Sequence, residues 1–132
     1  MKRRDAQEVV AWWALSCSDL VVARSLMELA GQSHQVCFHC QQAAEKALKC
    51  LLEAERLPFR YNHDLVELLD RLAARRGEAV AFATDAAFLT EFAVGARYPS
   101  VGPGPTPEDA ADALAAAARV VEWCDSALES LA

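Results

Sequence analysis

The chain has 132 residues, of which 54% are hydrophobic and 24% charged, and its formal net charge is -6. This size and composition are typical of one core-forming domain, so we expect a single domain over residues 1–132. The acidity is local, because residues 106–132 contain six acids against Arg119 while residues 1–105 are close to neutral. Non-specific binding to duplex DNA needs a continuous basic surface. The composition therefore disfavours a general DNA-binding protein and leaves room for a nucleotide or a short RNA.

The N-terminal end resembles the basic start of a signal peptide, but the residues that follow do not continue the pattern. Gln7, Glu8 and Asp19 interrupt the apolar stretch, and no small-residue cleavage site follows it. A membrane-spanning helix needs roughly 20 predominantly apolar residues, and the uninterrupted apolar runs are much shorter. We therefore expect no membrane span and a cytoplasmic protein.

Apolar residues recur with helical period along the whole chain, which predicts an all-α protein. Asp5 can cap a first helix that ends near Ala30. Ser33 can cap a second helix that ends near Arg56, because Pro58 cannot continue it.

The middle of the chain predicts two further helices. Asn62 can cap a third helix that begins at His63 and is rich in leucine. Gly77 can end that helix, and a fourth covers roughly Glu78 to Val94.

A proline-rich connection precedes the last predicted helix, because residues 99–107 hold four of the five prolines. Thr106 can cap this helix, with Pro107 at its first position and Asp109 three residues on, as in a capping box. Five helices joined by short connections predict an antiparallel up-and-down bundle of four to five helices. The hydrophobic content is more than one such core obviously needs, which indicates a second apolar face for a partner subunit.

Three polar side chains fall in or beside the apolar faces when the two long helices are drawn at about 100° per residue. Asp19 lies among the core positions of the first helix, Gln41 among those of the second, and Glu45 at the edge of the second. Lys46 and Lys49 point the other way. A carboxylate inside a core must be paired or hydrogen-bonded. These residues therefore form either a polar network that fixes the register of the bundle or a ligand-binding groove.

The second predicted helix contains the string CFHCQQAAEKALK at residues 37–49. Three further short motifs occur along the chain: Asp19-Leu20 with Ala23, Asn62-His63-Asp64-Leu65, and Ala96-Arg97-Tyr98-Pro99. Together these four motifs, in this order, resemble those of the HEPN domain family. The resemblance implies an antiparallel helical bundle that commonly homodimerises and binds nucleotides. It also implies a possible nucleotidyltransferase partner protein, as for many stand-alone bacterial members, some of which belong to toxin-antitoxin systems.

Several branches of that family are metal-independent ribonucleases with an Arg, four to six spacers and a His. Arg56 and His63 fit this pattern, with six residues between them, although Leu57 stands where the nucleases usually carry a polar residue. Arg60 is two residues from His63, a spacing that does not fit. In such a site the His acts as general acid or base and the Arg stabilises phosphorane-like charge. The resemblance thus implies Arg56 and His63 as candidate catalytic residues of a ribonuclease. The sequence slightly favours a non-catalytic module that binds a nucleotide or RNA, and the third alternative is a purely structural dimerisation module.

Arg97 and Tyr98 precede the proline-rich connection and are further candidates for ligand binding. An arginine offers a fork for phosphate, and a tyrosine offers a face on which a base can stack. We predict a site for a nucleotide or single-stranded RNA formed by Arg97 and Tyr98 with Asp19, Gln41 and Glu45. The alternative is that Arg97 pairs with Asp19 or Glu45 across the bundle.

Five cysteines are an odd number for a disulfide framework in a cytoplasmic protein. Cys37 and Cys40 lie on one predicted helix with His34 and His39, but a tetrahedral zinc site would need ligands from elsewhere. We therefore expect buried thiols that behave as small apolar residues, and no metal or cofactor.

Overall fold

The computed structural model describes residues 3–60, 62–93 and 102–131, with side chains from residue 6 onward. These residues form five α-helices, with a 3-10 helix between the third and the fourth. The helices are α1 (Arg3–Leu26), α2 (Ser33–Ala54), α3 (Leu65–Ala73), α4 (Ala83–Thr90) and α5 (Pro107–Glu129), and the 3-10 helix spans Gly77–Phe82. The prediction of an all-α bundle is confirmed.

Helix α2 lies at the centre of the bundle and contacts α1, α3, α4 and α5. The apolar face of this helix is completely buried and consists of Cys37, Cys40, Ala44, Ala47, Leu48 and Leu51. Helix α5 contributes mostly small side chains to the same core, among them Ala113 and Ala117. Such side chains allow the two helix axes to approach closely, since interaxial distance depends on the residues at the contact.

Helix α1 runs antiparallel to α2. Near its start the Cys50 thiol donates to the carbonyl oxygen of Val9 at 3.3 Å, and further along the Ser16 hydroxyl donates to that of Ala43 at 2.7 Å. Ser16 is completely buried, so its hydroxyl needs this acceptor. These two bonds tie α1 to the central helix along one side.

The opposite face of α1 is apolar and exposed, and Val10, Leu15 and Val21 are each at least half exposed. The stretch Ala6–Leu26 is long and apolar enough to cross a membrane by length and composition, and 17% of its most apolar window is buried. Signal sequences and core helices of soluble proteins pass the same test. The absence of a membrane span therefore stays a prediction.

The start of α5 is as predicted. The Thr106 hydroxyl accepts from the backbone N–H of Asp109 at 3.0 Å, and the Asp109 carboxylate accepts from the N–H of Thr106 at 2.9 Å. Pro107 is the first helical residue. This reciprocal capping satisfies two N–H groups that the helix itself leaves without acceptors.

The predicted boundaries of three helices are wrong. Helix α1 includes Asp5, which therefore does not cap it, and the helix ends at Leu26 rather than near Ala30. After Leu26 the backbone forms turn bonds between residues three apart, such as the one from the Leu29 N–H to the oxygen of Leu26. Helix α2 begins at Ser33 itself, with Gln32 as N-cap and no side-chain capping bond. The predicted fourth helix is a 3-10 segment followed by α4, and its predicted end at residue 94 lies outside the described residues.

The predicted start of α3 at His63 is also wrong, because Asp64 rather than Asn62 caps this helix. The Asp64 carboxylate accepts from the N–H groups of Val66 at 3.0 Å and Glu67 at 3.3 Å. The side-chain oxygen of Asn62 instead accepts from the N–H of Asp64 at 3.1 Å. His63 therefore lies in the loop before the helix.

Candidate functional site

Glu45 is a carboxylate of α2 with 4% of its side chain exposed. Its Oε1 lies 2.7 Å from Nδ1 of His63 and accepts from Nε2 of Gln41 at 3.1 Å. Its Oε2 accepts from Nζ of Lys49 at 3.0 Å. A buried carboxylate is tolerated only with partners of this kind, and the Lys49 ammonium supplies the counter-charge.

His63 lies across from this carboxylate with 48% of its side chain exposed. Its backbone oxygen accepts from Nε2 of Gln41 at 3.2 Å, so both the ring and the main chain are held. An ionised carboxylate can only accept, so Nδ1 carries a proton, and in the neutral imidazole the lone pair is then on Nε2. Glu45 thereby sets both the tautomer and the orientation of the imidazole, as the carboxylate of a catalytic triad does.

The amides of Gln41 and Gln42 complete this network. Nε2 of Gln42 donates to Oε1 of Gln41 at 2.7 Å, which fixes the Gln41 amide with its Nε2 toward Glu45 and His63. Gln41 is completely buried, and both ends of its amide are used within the protein. Its amide therefore helps to hold Glu45 and the main chain of His63 in place, and its predicted contact with a ligand stays a prediction.

Asp19 belongs to a second network, between α1 and α2. Its Oδ2 accepts from Nζ of Lys46 at 2.6 Å, and its Oδ1 lies 2.9 Å from Nδ1 of His39. Within the described parts of the chain, no hydrogen bond joins Asp19 to Gln41 or Glu45. The three side chains predicted to line one groove thus belong to two separate networks, each with a carboxylate, a histidine and a lysine. Gln41 and Glu45 belong to the first, and Asp19 belongs to the second.

The lysines and His39 are the residues that the sequence interpretation missed. The helical wheel turns Lys49 away from the core, yet the structure buries it, because the Trp12 ring lies 5.4 Å from its ammonium and Glu45 pairs with it. The i, i+4 spacing of Glu45 and Lys49 is the signal that could have found this pair. His39 and Lys46 could have been found from Asp19, because a carboxylate at a core position requires partners that donate to it.

Arg56 follows α2 and has a left-handed backbone, with φ of 58°. The N–H of Leu57 donates to the oxygen of Leu52 at 2.9 Å, and that of Arg56 to the oxygen of Glu53 at 3.1 Å. This is the Schellman pattern, whose left-handed position usually belongs to glycine. The turn directs the chain into the loop that ends at His63, so the two predicted catalytic residues lie at the two ends of one loop.

Side chains of α3 hold that loop in place. A guanidinium nitrogen of Arg71 donates to the oxygen of Pro58 at 3.4 Å, and the Asn62 amide donates to the Glu67 carboxylate at 2.9 Å. A loop fixed at both ends positions His63 more precisely than a free one would. Arg97 and Tyr98, the other predicted ligand-binding residues, lie outside the described residues.

All five cysteines are free thiols, of which four are buried and Cys17 is half-buried. Burial raises the pKa of Cys37 to about 11 and that of Cys40 to about 12. Both groups are therefore protonated near neutral pH, whereas a metal ligand or a nucleophile would have to be a thiolate.

The fold of this chain is similar to those of solved structures. The protein TT1696 of Thermus thermophilus has a TM-score of 0.80 and 26% identity, over 90% of this chain and 97% of that one. ST0689, an archaeal HEPN homologue, has a TM-score of 0.71 and 28% identity, over 97% and 99% of the two chains. The HEPN domain family matches residues 9–127, so the chain belongs to this family. No curated protein matches the chain.

Proposed function

We propose that this HEPN domain binds single-stranded RNA at His63 and that His63 is the acid-base group for metal-independent cleavage of that RNA. The contact of 2.7 Å between Oε1 of Glu45 and Nδ1 of His63 is the observation that carries the proposal. Removing a carboxylate and an ammonium from water costs free energy that apolar residues would not require. This network lowers the stability of the fold and holds one half-exposed imidazole in a fixed orientation. A chemical role for that imidazole explains the network better than packing does.

The reaction that suits this geometry uses the 2′-hydroxyl of the RNA as nucleophile. Nε2 of His63 takes the hydroxyl proton while the 2′-oxygen attacks phosphorus, and the bond to the 5′-oxygen breaks. The departing 5′-oxygen takes a proton from water, and the resulting hydroxide takes the proton from Nε2 of His63, which leaves a 2′,3′-cyclic phosphate, a 5′-hydroxyl end and the neutral imidazole. Glu45 stabilises the imidazolium that forms, because its carboxylate lies against the protonated Nδ1.

The charge of the loop between α2 and α3 supports an RNA ligand. Residues 56–63 contain Arg56 and Arg60 and no acid, and both arginine side chains are exposed. A guanidinium binds phosphate oxygens with parallel hydrogen bonds and can stabilise the charge that builds on phosphorus. We assign Arg56 this catalytic role, and Arg60 adds positive charge beside it.

The exposed face of α1 supports a homodimer as part of the proposal. Leu15 and Val21 are exposed on a helix whose other side is packed on α2, and covering them removes apolar area from water. Sedimentation at rising concentration tests this, and a monomer at high concentration contradicts it. The family resemblance supports a nucleotidyltransferase partner, which co-expression with a neighbouring reading frame of that class would test by co-purification.

RNA cleavage in the presence of a chelator tests the catalytic proposal. Wild-type protein should cut single-stranded RNA and leave 2′,3′-cyclic phosphate ends, and His63→Ala should remove this activity. His39→Ala is the matched control, because His39 is also held by a carboxylate but lies in the other network.

Three other results would contradict parts of the proposal. Cleavage that persists in His63→Ala would remove the catalytic assignment. RNA binding without cleavage, lost in Arg56→Ala, would leave a non-catalytic binding module, and the absence of both would leave a dimerisation module.

A further inference from the structure

An apolar groove of about 510 Å³ lies between the first turns of α1, the end of α2 and the last turns of α5. Val10 and Trp13 form part of its α1 wall, and Ala54 belongs to α2. The opposite wall includes Leu128 of α5 and Leu131, which follows that helix. The volume falls in the range of about 300–1,000 Å³ that ligand sites occupy. These residues are separate from those of the His63 and Asp19 networks, so the groove has no part in the proposed RNA chemistry.

The groove leaves large apolar side chains in water. Val10 is 68% exposed and Leu131 is 46% exposed, and they lie on opposite walls. An occupant that covered both walls would remove this area from water at about 25 cal/mol per Å².

Two carboxylates, Asp125 and Glu129, line the same groove from the α5 side. They stand one helical turn apart on one face, where like charges destabilise a helix. They also lie in the last turns of α5, which contain no basic residue, and the helix dipole disfavours negative charge there. Among the described residues, neither forms an ion pair. A positively charged occupant would offset all of these unfavourable interactions together.

The dimensions of the groove match a short helix. Its lining runs from Val9 to Ala14 on α1, and from Asp125 near the end of α5 to Leu131, two residues beyond that helix. At about 1.5 Å per residue, these stretches are roughly 8 and 9 Å long, or about two helical turns. An occupying helix would present apolar side chains at i, i+4 and i+7, as in other helix-in-groove complexes. Basic residues one turn apart on its flank would meet Asp125 and Glu129.

We propose that this groove docks an amphipathic helix of a partner protein, with apolar anchors between α1 and α5 and two basic residues paired with Asp125 and Glu129. A designed 16-residue helical peptide with a leucine face and flanking lysines one turn apart serves as the probe. Its fluorescently labelled form should bind the full-length protein, as fluorescence anisotropy reports. The same peptide with glutamate in place of lysine should bind at least about tenfold more weakly, since two ion pairs are replaced by repulsion.

Protein variants locate the binding. Asp125→Asn with Glu129→Gln should weaken the lysine peptide about fivefold to tenfold and reduce the salt dependence of binding. Glu108→Gln with Asp112→Asn is the matched control, because it removes the same charge from the other half of α5 and should leave binding unchanged. Ala14→Trp should abolish binding by filling the groove from an exposed position, with circular dichroism to show an unchanged fold.

Several results would overturn the proposal. They are no binding of the lysine peptide to the wild type, equal binding of both peptides, or an Asp125 and Glu129 variant that binds as the wild type does. A wild-type dimer that Ala14→Trp converts to a monomer would assign the groove to a second copy of this chain instead.

Discussion

Glu45→Gln is the substitution that tests the buried network most directly, because it removes one charge and keeps the size of the side chain. Lys49 would lose the carboxylate oxygen that lies 3.0 Å from its Nζ, at a site where 5% of its side chain is exposed. His63 would lose an ionised acceptor at 2.7 Å. Breaking a buried ion pair by removing one partner costs about 3–5 kcal/mol, because the remaining charge stays buried. The new amide can still accept a hydrogen bond, so we expect the free energy of unfolding to fall by about 3 kcal/mol.

Urea denaturation of a double-mutant cycle measures this loss and identifies its cause. Lys49→Met in the Glu45→Gln background removes the second charge and should restore most of the lost stability, since an apolar replacement of a whole buried pair is often neutral. Asp70→Asn is the control, because it makes the same chemical change at an exposed position of α3 and should leave the unfolding midpoint unchanged. The reasoning is refuted if Glu45→Gln loses less than about 0.5 kcal/mol, the size of an ordinary surface substitution. A double variant whose loss equals the sum of the two single losses would refute it as well.

Four further predictions concern local structure. Arg56→Gly should raise the free energy of unfolding by about 1 kcal/mol in urea, because glycine relieves the left-handed strain at φ of 58°, whereas Arg56→Ala should give no such gain. Thr106→Ala should lower it by about 1 kcal/mol through loss of the capping box, and an unchanged midpoint would contradict the cap. Burial holds the pKa of Cys40 at about 12, so the unfolded thiol ionises first and stability should fall as the pH rises above about 9. In the folded protein iodoacetamide should label the half-buried Cys17 before Cys40, as peptide mass spectrometry can show.

Features that depend on neighbouring residues were predictable. The start of α5 follows from Thr106 and Asp109, whose capping bonds span three residues. The buried face of α2 follows from helical period, since apolar residues on one side of a helix must face a core. The start of α3 was placed too early because Asn62 and Asp64 are both good capping residues, and only the folded loop shows which of them caps the helix.

The sequence by itself thus determined an all-α chain, the core side of its central helix and membership of the HEPN domain family. It also determined that Asp19 and Glu45 require partners, because burial of a carboxylate has the same cost in any fold. Only the tertiary structure decided which partners they have. Glu45 binds His63, 18 positions away, and Asp19 binds His39, 20 positions away. A helical wheel shows only the direction in which a side chain points from the axis of its own helix. These pairings depend on how a loop and a second helix pack against that helix.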